Sequence, residues 1–184
     1  MITKKQRILL WGSTLWYLGE GMLGPLFAVF AQRIGGDLLE ITWGWATYLF
    51  VMGVLTIIFG HYSDKLDQKK VMLFGYGLNA LFTFAYVFIS TPTHLFMVQA
   101  GLGFATALST PTWSALYAKY AAKNKHGAAW GLANGLPDVI TAIAVIIGGL
   151  IVQYFSFTLL FLIMGSIQII ATIYQAEILY GDNK

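Results

Sequence analysis

The chain contains no cysteine. Disulfides, thiolate nucleophiles and cysteine-held metals are therefore excluded. Charge is also scarce, with 8 acidic and 11 Lys or Arg residues making up 10% of 184. A water-soluble domain carries roughly a quarter charged residues, so this set cannot cover a soluble surface. The three histidines, His61, His94 and His126, lie at or near the ends of apolar stretches, without a carboxylate at ligand spacing. No metal site and no cofactor is expected. Neither a G-x-S-x-G element nor a phosphate-binding glycine loop with its lysine occurs, so an enzyme is not expected and ATP is not the expected energy source.

What the chain has is apolar length. It is 58% hydrophobic and 16% aromatic, with a mean hydropathy of +0.69. Six apolar stretches run Ile8 to Phe30, Ile41 to Ile58, Val71 to Ser90, Leu95 to Tyr117, Ala128 to Val152 and Phe157 to Tyr174. A spanning helix needs about 20 residues, so each predicts one membrane crossing, and the short breaks between them leave no room for a soluble domain. The fold class expected is an all-α membrane protein, a single six-helix bundle over residues 1–184. The start, Lys4-Lys5-Gln6-Arg7 before an apolar run, is like a signal peptide. Glu20 interrupts the run and no small-residue cleavage site follows, so a retained first helix is expected.

Basic residues flanking short loops are held on the cytoplasmic side. Lys4, Lys5 and Arg7 precede the first span, Lys65, Lys69 and Lys70 lie in the second connection, and Lys119, Lys123 and Lys125 in the fourth. With Lys184, ten of the eleven basic residues fall on alternating segments, and only Arg33 lies on the other side. Both termini are expected in the cytoplasm, in a plasma or bacterial inner membrane. The lysines read as topology signals with contact to the lipid bilayer, and no nucleic-acid partner is expected.

The second connection reads Gly60-His61-Tyr62-Ser63-Asp64-Lys65-Leu66-Asp67-Gln68-Lys69-Lys70. It resembles the signature loop of the major facilitator superfamily, G-x-x-x-D-(R/K)-x-G-x-(R/K)-(R/K), and lies between the second and third spans as in that family. Asp67 stands where the family has Gly. The resemblance implies a conformational latch formed by Gly60, Asp64, Lys65, Lys69 and Lys70, with Asp64 able to cap a nearby helix. Further likenesses are Gly24-Pro25 at the end of the first helix, Gln99 to Ala107 in the fourth, and Gly148-Gly149 in the fifth. Gln99 replaces the Arg of proton-linked members and Ala144-Val145 replaces the Gly-Pro of antiporters, which weakens a drug–proton antiport reading. The family is built of inverted three-helix repeats; Trp43-Gly44-Trp45-Ala46-Thr47 and Trp130-Gly131-Leu132-Ala133-Asn134, 87 residues apart, are a trace of such a repeat.

Two acids fall inside spans, where an ionisable group is expensive and is a functional candidate. Glu20 and Asp138 each lie roughly 16–18 Å from the cytoplasmic end of a ~30 Å core, a depth that predicts a proton-coupling role or a buried hydrogen-bonded carboxyl. The fourth span carries Gln99, Gly103, Thr106, Thr110, Trp113 and Tyr117 at alternating steps of four and three, which places them on one face. The first span offers Ser13, Tyr17, Glu20 and Gly24, with Trp16 beside them. A polar face in lipid turns to protein or to a water-filled cavity, so Trp16, Tyr17, Gln99, Thr106, Thr110, Trp113 and Asn134 are the candidate substrate-binding residues. Gly127, Gly131 and Gly135 read as a helix-packing seam, and Trp11, Trp43 and Trp45 as interfacial anchors.

The resemblance implies secondary transport of a small organic molecule, a sugar, drug or metabolite, by alternating access. Proton coupling through Glu20 is expected, and an anionic substrate is not, because no cation lies mid-span. The family's cavity lies between two six-helix bundles, so a parallel homodimer of half-transporters, or a complementary six-helix half, is the expected partner. The alternative is a non-transporting membrane scaffold or regulatory subunit.

Overall fold

A computed structural model describes residues 2–63, 65–121 and 126–180. All six apolar stretches are helical, and no strand occurs among the described residues. The first stretch is two helices, α1 (Lys4–Gly21) and α2 (Leu26–Arg33). The others are α3 (Leu38–Ser63), α4 (Gln68–Ala85), α5 (Pro92–Tyr120), α6 (His126–Tyr154) and α7 (Phe157–Ala176). Short 3₁₀ turns extend α4 through Phe88 and α7 through Leu179.

Local chemistry accounts for the helix ends. α1 opens on a capping box in which Gln6 N donates to Thr3 Oγ1 at 3.2 Å and Thr3 N donates to Gln6 Oε1 at 3.3 Å. The expected continuous first span breaks at Met22–Pro25: Gly24 takes φ +24°, and Pro25 has no N–H for the helix ladder. α2 ends at Gly35, with φ +89°, where the Gly36 amide reaches the Ala31 carbonyl at 2.9 Å. Asp37 and Glu40 then cap the start of α3 reciprocally, at 2.8 and 3.0 Å. Thr91 and Ser156 cap α5 and α7 through their hydroxyls. Asp67 caps α4, accepting from Lys70 N at 3.4 Å.

α5 packs between α3 and α4, α1 packs against α6 and α7, and α4 packs on α7. Two apolar clusters close the ends of the bundle. One gathers Phe27, Phe30, Tyr86, Leu95, Phe157 and Phe161 near the breaks that follow α2, α4 and α6. The other gathers Leu9, Met72, Leu116, Tyr117 and Ile178 near the opposite ends. The polar residues of α1 and α5 lie between them along the chain.

Among the described helices, α3, α4, α6 and α7 are long and apolar enough to cross a membrane. The chain is an integral membrane protein. α1, with four charged residues, and α5, with its polar face, fall short of that measure. α3 and α6 bury far less of themselves than α4 and α7. α6 leaves Asn134 and Asp138 exposed, and a Cβ at Gly127, Gly131 or Gly135 would meet nothing within 4 Å. That glycine row is therefore not a packing seam within this chain. Close backbone approaches between helices lie instead at glycines such as Gly75, where a Cβ would come within 2.8 Å of the Ala105 carbonyl, Gly103, 2.7 Å from the Tyr48 carbonyl, and Gly148, against Met22.

Candidate functional site

A cavity of about 510 Å³ opens between the two ends of the bundle. α1 turns Ser13, Trp16, Tyr17 and Glu20 toward it, and α5 contributes Thr106, Ser109, Thr110 and Trp113. Both sets follow from helical periodicity, since steps of three and four return a side chain to one face. α6 adds Trp130, Ala133 and Asn134, α3 adds Trp45, Tyr48 and Met52, and Tyr76 comes from α4.

The walls are aromatic and held in place. Trp16 meets Tyr17 edge-on with ring centres 5.0 Å apart, and Tyr76 at 5.8 Å. Trp113 stacks on Tyr117 at 4.8 Å and donates its indole N–H to the Leu9 carbonyl at 3.3 Å. That hydrogen bond joins α5 to α1 and leaves the Trp113 ring as an apolar surface. Tyr117 is fully buried and donates to the Ala129 carbonyl at 2.9 Å. It anchors α6 and does not line the cavity.

Glu20 is half-buried, and its carboxylate accepts a hydrogen bond from Gln168 Nε2 of α7 at 3.1 Å. Gln168 itself is fully buried. Among the described residues no Lys or Arg lines the cavity, and Glu20 places a formal charge in its wall.

Seven of the residues expected from the sequence are thus brought together: Trp16, Tyr17, Glu20, Thr106, Thr110, Trp113 and Asn134. Gln99 is not among them. It is buried two turns away toward the α2 end, where its Oε1 accepts from the Tyr86 hydroxyl at 3.4 Å. Asp138 also lies outside the lining, exposed on α6 one turn beyond Asn134 and within electrostatic reach of Tyr17. Trp45, expected as an interfacial anchor, lines the cavity and packs against Phe27 and Tyr48 at 5.7 and 5.5 Å. Tyr48, Met52, Tyr76 and Ser109 were not among the sequence candidates. α3 is apolar on all sides and gives no polar stripe to read. Gln168 had a signal, an amide in an otherwise apolar span with Gln175 two turns on.

At the loop between α3 and α4, Lys65 lies over the Tyr62 ring at 5.9 Å, and Lys70 Nζ lies 3.4 Å from Asp67 Oδ2. The residue that departs from the family signature, Asp67, is the α4 N-cap. Its slight burial pushes the carboxyl pKa up, but the Lys70 amide and ammonium and the Lys69 amide outweigh this and hold it below its ordinary value. A Cβ at Gly60 would meet nothing within 4 Å, so close helix approach within this chain does not require that glycine. Asp64 lies outside the described residues.

The chain matches the Major Facilitator Superfamily over residues 9–183. It belongs to the major facilitator superfamily. It is also 26% identical, over 186 aligned positions, to an uncharacterized MFS-type transporter of Methanocaldococcus jannaschii. That alignment covers 98% of this chain and 48% of the relative, so the chain spans about half the length of the curated relative it matches. The relative is described as a transporter, and that description belongs to a protein about twice the length of this chain.

Proposed function

We propose that the chain carries a small organic molecule across the membrane by alternating access, with Glu20 binding and releasing the coupling proton. The observation that carries this reading is the cavity, where one carboxylate stands in a wall of aromatic rings, hydroxyls and an amide. An ionised carboxylate only accepts hydrogen bonds, whereas a protonated one also donates. A bound molecule that prefers one form shifts the proton equilibrium, and the proton shifts its affinity by the same factor. Trp16, Tyr17 and Trp113 offer flat apolar faces, while Thr106, Thr110 and Asn134 offer hydrogen bonds, a combination suited to sugars, amphipathic drugs or neutral metabolites. An anion finds no cation in this lining. A scaffold without turnover would be expected to lock its polar groups into helix contacts, yet Thr110 and Asn134 face the cavity.

The cavity is completed by a second bundle, either a second parallel copy of this chain or a complementary six-helix half. Asp138, exposed at mid-span on α6, supports this, because a charge against lipid costs at least ~2.5–3.5 kcal/mol and a polar neighbour removes that cost. The open glycine row beside it supports the same face. Helix pairing supports inverted repeats: α1 packs on α6 and α7 as α5 packs on α3 and α4. The alternating lysines support cytoplasmic termini. Gly60, Asp64, Lys65, Lys69 and Lys70 act as the conformational latch of the cytoplasmic loop, with Asp138 a secondary site for the proton.

Proteoliposome uptake under an imposed pH gradient tests the coupling. Wild-type uptake follows the gradient, and Glu20→Gln retains exchange of substrate across the membrane but no longer responds to the gradient. Wild-type uptake that ignores the gradient rejects the coupling.

A further inference from the structure

We propose that Gln168 of α7 is a positioning residue that reads the protonation state of Glu20 by closing a two-bond acid–amide pair with it. This rests on the coupling role proposed above for Glu20, and adds the group through which a proton gained or lost there acts on the helix bundle.

The geometry begins at Gly19. A Cβ on this residue would stand 3.1 Å from the Met164 carbonyl and 3.2 Å from Gln168 Cγ, so α1 and α7 meet almost backbone to backbone. The next residue on α1 is Glu20, and this approach brings the Gln168 carboxamide beside its carboxylate. One bond is formed, from Gln168 Nε2 to Glu20 Oε2 at 3.1 Å. The other end of the same amide, Gln168 Oε1, is buried and has no hydrogen-bond partner among the described residues. A buried acceptor left unpaired is costly, and native structures rarely tolerate one without a reason.

The two charge states of Glu20 treat that oxygen differently. The carboxylate has only acceptors, so it takes the Nε2 bond and offers nothing to Oε1. The protonated acid has one O–H, and Gln168 Oε1 is the acceptor adjacent to it. Proton uptake therefore closes a ring of two hydrogen bonds between α1 and α7, and release reopens one of them. Other titratable groups near Glu20 are Tyr17 on its own helix, Tyr48 of α3, Tyr86 after α4, and Asp138 of α6, which interacts with Tyr17. None is a cation, and from α7 it is Gln168, which does not titrate, that bonds the carboxylate. The proton at Glu20 is thus converted into a change in how firmly α7 is tied to α1, while α7 also packs on α4.

Infrared difference spectroscopy across pH, on wild type and on Gln168→Leu and Gln168→Met, tests this, with Glu20→Gln assigning the carboxyl band. Two folded variants guard against one that fails to fold. The Glu20-dependent carbonyl band of the protonated acid is expected to rise in frequency in both variants, because the neutral acid loses a donor and an acceptor together. A band at unchanged frequency in a folded variant overturns the pair and leaves the coupling role of Glu20 standing. No Glu20-dependent band at any pH where the protein is folded means the carboxyl never protonates, which overturns both. A shifted band with uptake that ignores a pH gradient upholds the pair and rejects the coupling.

Discussion

Gly148 of α6 lies so close to Met22 that a Cβ added to it would overlap the Met22 carbonyl oxygen. The contact exists because the first span breaks at Met22–Pro25 and turns that carbonyl outward from α1. Gly148-Gly149 resembles the end of an antiporter element in the sequence, but its first glycine has a plain steric reason here. Gly148→Val is expected to destabilise the protein by about 1–3 kcal/mol, the usual cost of overpacking. Gly149→Ala, at a position with nothing within 4 Å, is expected to change little. Thermal unfolding in detergent compares the two.

Filling the cavity separates binding from folding. Thr110 is exposed to the cavity and makes no hydrogen bond among the described residues that holds a helix in place. Thr110→Phe is expected to raise the Km for transport by about tenfold or more, equivalent to roughly 1.4 kcal/mol of lost binding. The unfolding temperature should stay close to wild type. An unchanged Km with full activity places the substrate elsewhere.

Asp67 offers a pH test outside the membrane. Loss of an N-cap side chain costs about 1 kcal/mol when Ala replaces it and only a few tenths when Gly does. Asp67→Ala is therefore expected to destabilise α4, while Asp67→Gly, the family's usual residue, is nearly neutral. The folded protein holds this carboxyl below its ordinary value. Its contribution is thus complete above the unfolded pKa of about 3.9 and disappears as pH falls through the lower folded value. The stability difference between wild type and Asp67→Ala, followed by acid titration, should vanish at the acid end.

The chain has no native cysteine, which makes the second bundle open to direct test. A single cysteine at Gly135, on the open face of α6, is expected to form a disulfide between two copies in native membranes under mild oxidation. A cysteine at Phe74, exposed on α4 away from this face, serves as the control. Crosslinking at both positions, or at neither, rejects the second-copy arrangement and leaves a complementary half as the partner.

Several parts of the site were legible from residue order. A polar group in an apolar span must find protein or water, and helical periodicity says which groups share a face. Those two rules select Trp16, Tyr17, Glu20, Thr106, Thr110, Trp113 and Asn134. The same rules carry Gln99 too far, because the polar stripe of α5 is longer than the cavity, and at the level of Gln99 the neighbour is Tyr86. Asp138 has the depth of a coupling residue and lies one turn beyond Asn134 on α6, but the cavity lining stops at Asn134, and where a cavity ends along a helix is something spacing alone does not contain. Trp45, Tyr48 and Met52 are invisible in a helix that is apolar all round.

The sequence by itself determined the membrane class, the six helical stretches and the family. These depend on composition, on contacts three or four residues apart, and on a contiguous motif. Only the tertiary structure decided that Gly103 and Gly148 are close contacts while Gly127, Gly131 and Gly135 face open space. It alone also set Gln168 against Glu20, 148 residues away in the chain. Such pairings depend on where one helix axis passes another, and local periodicity carries no information about that distance.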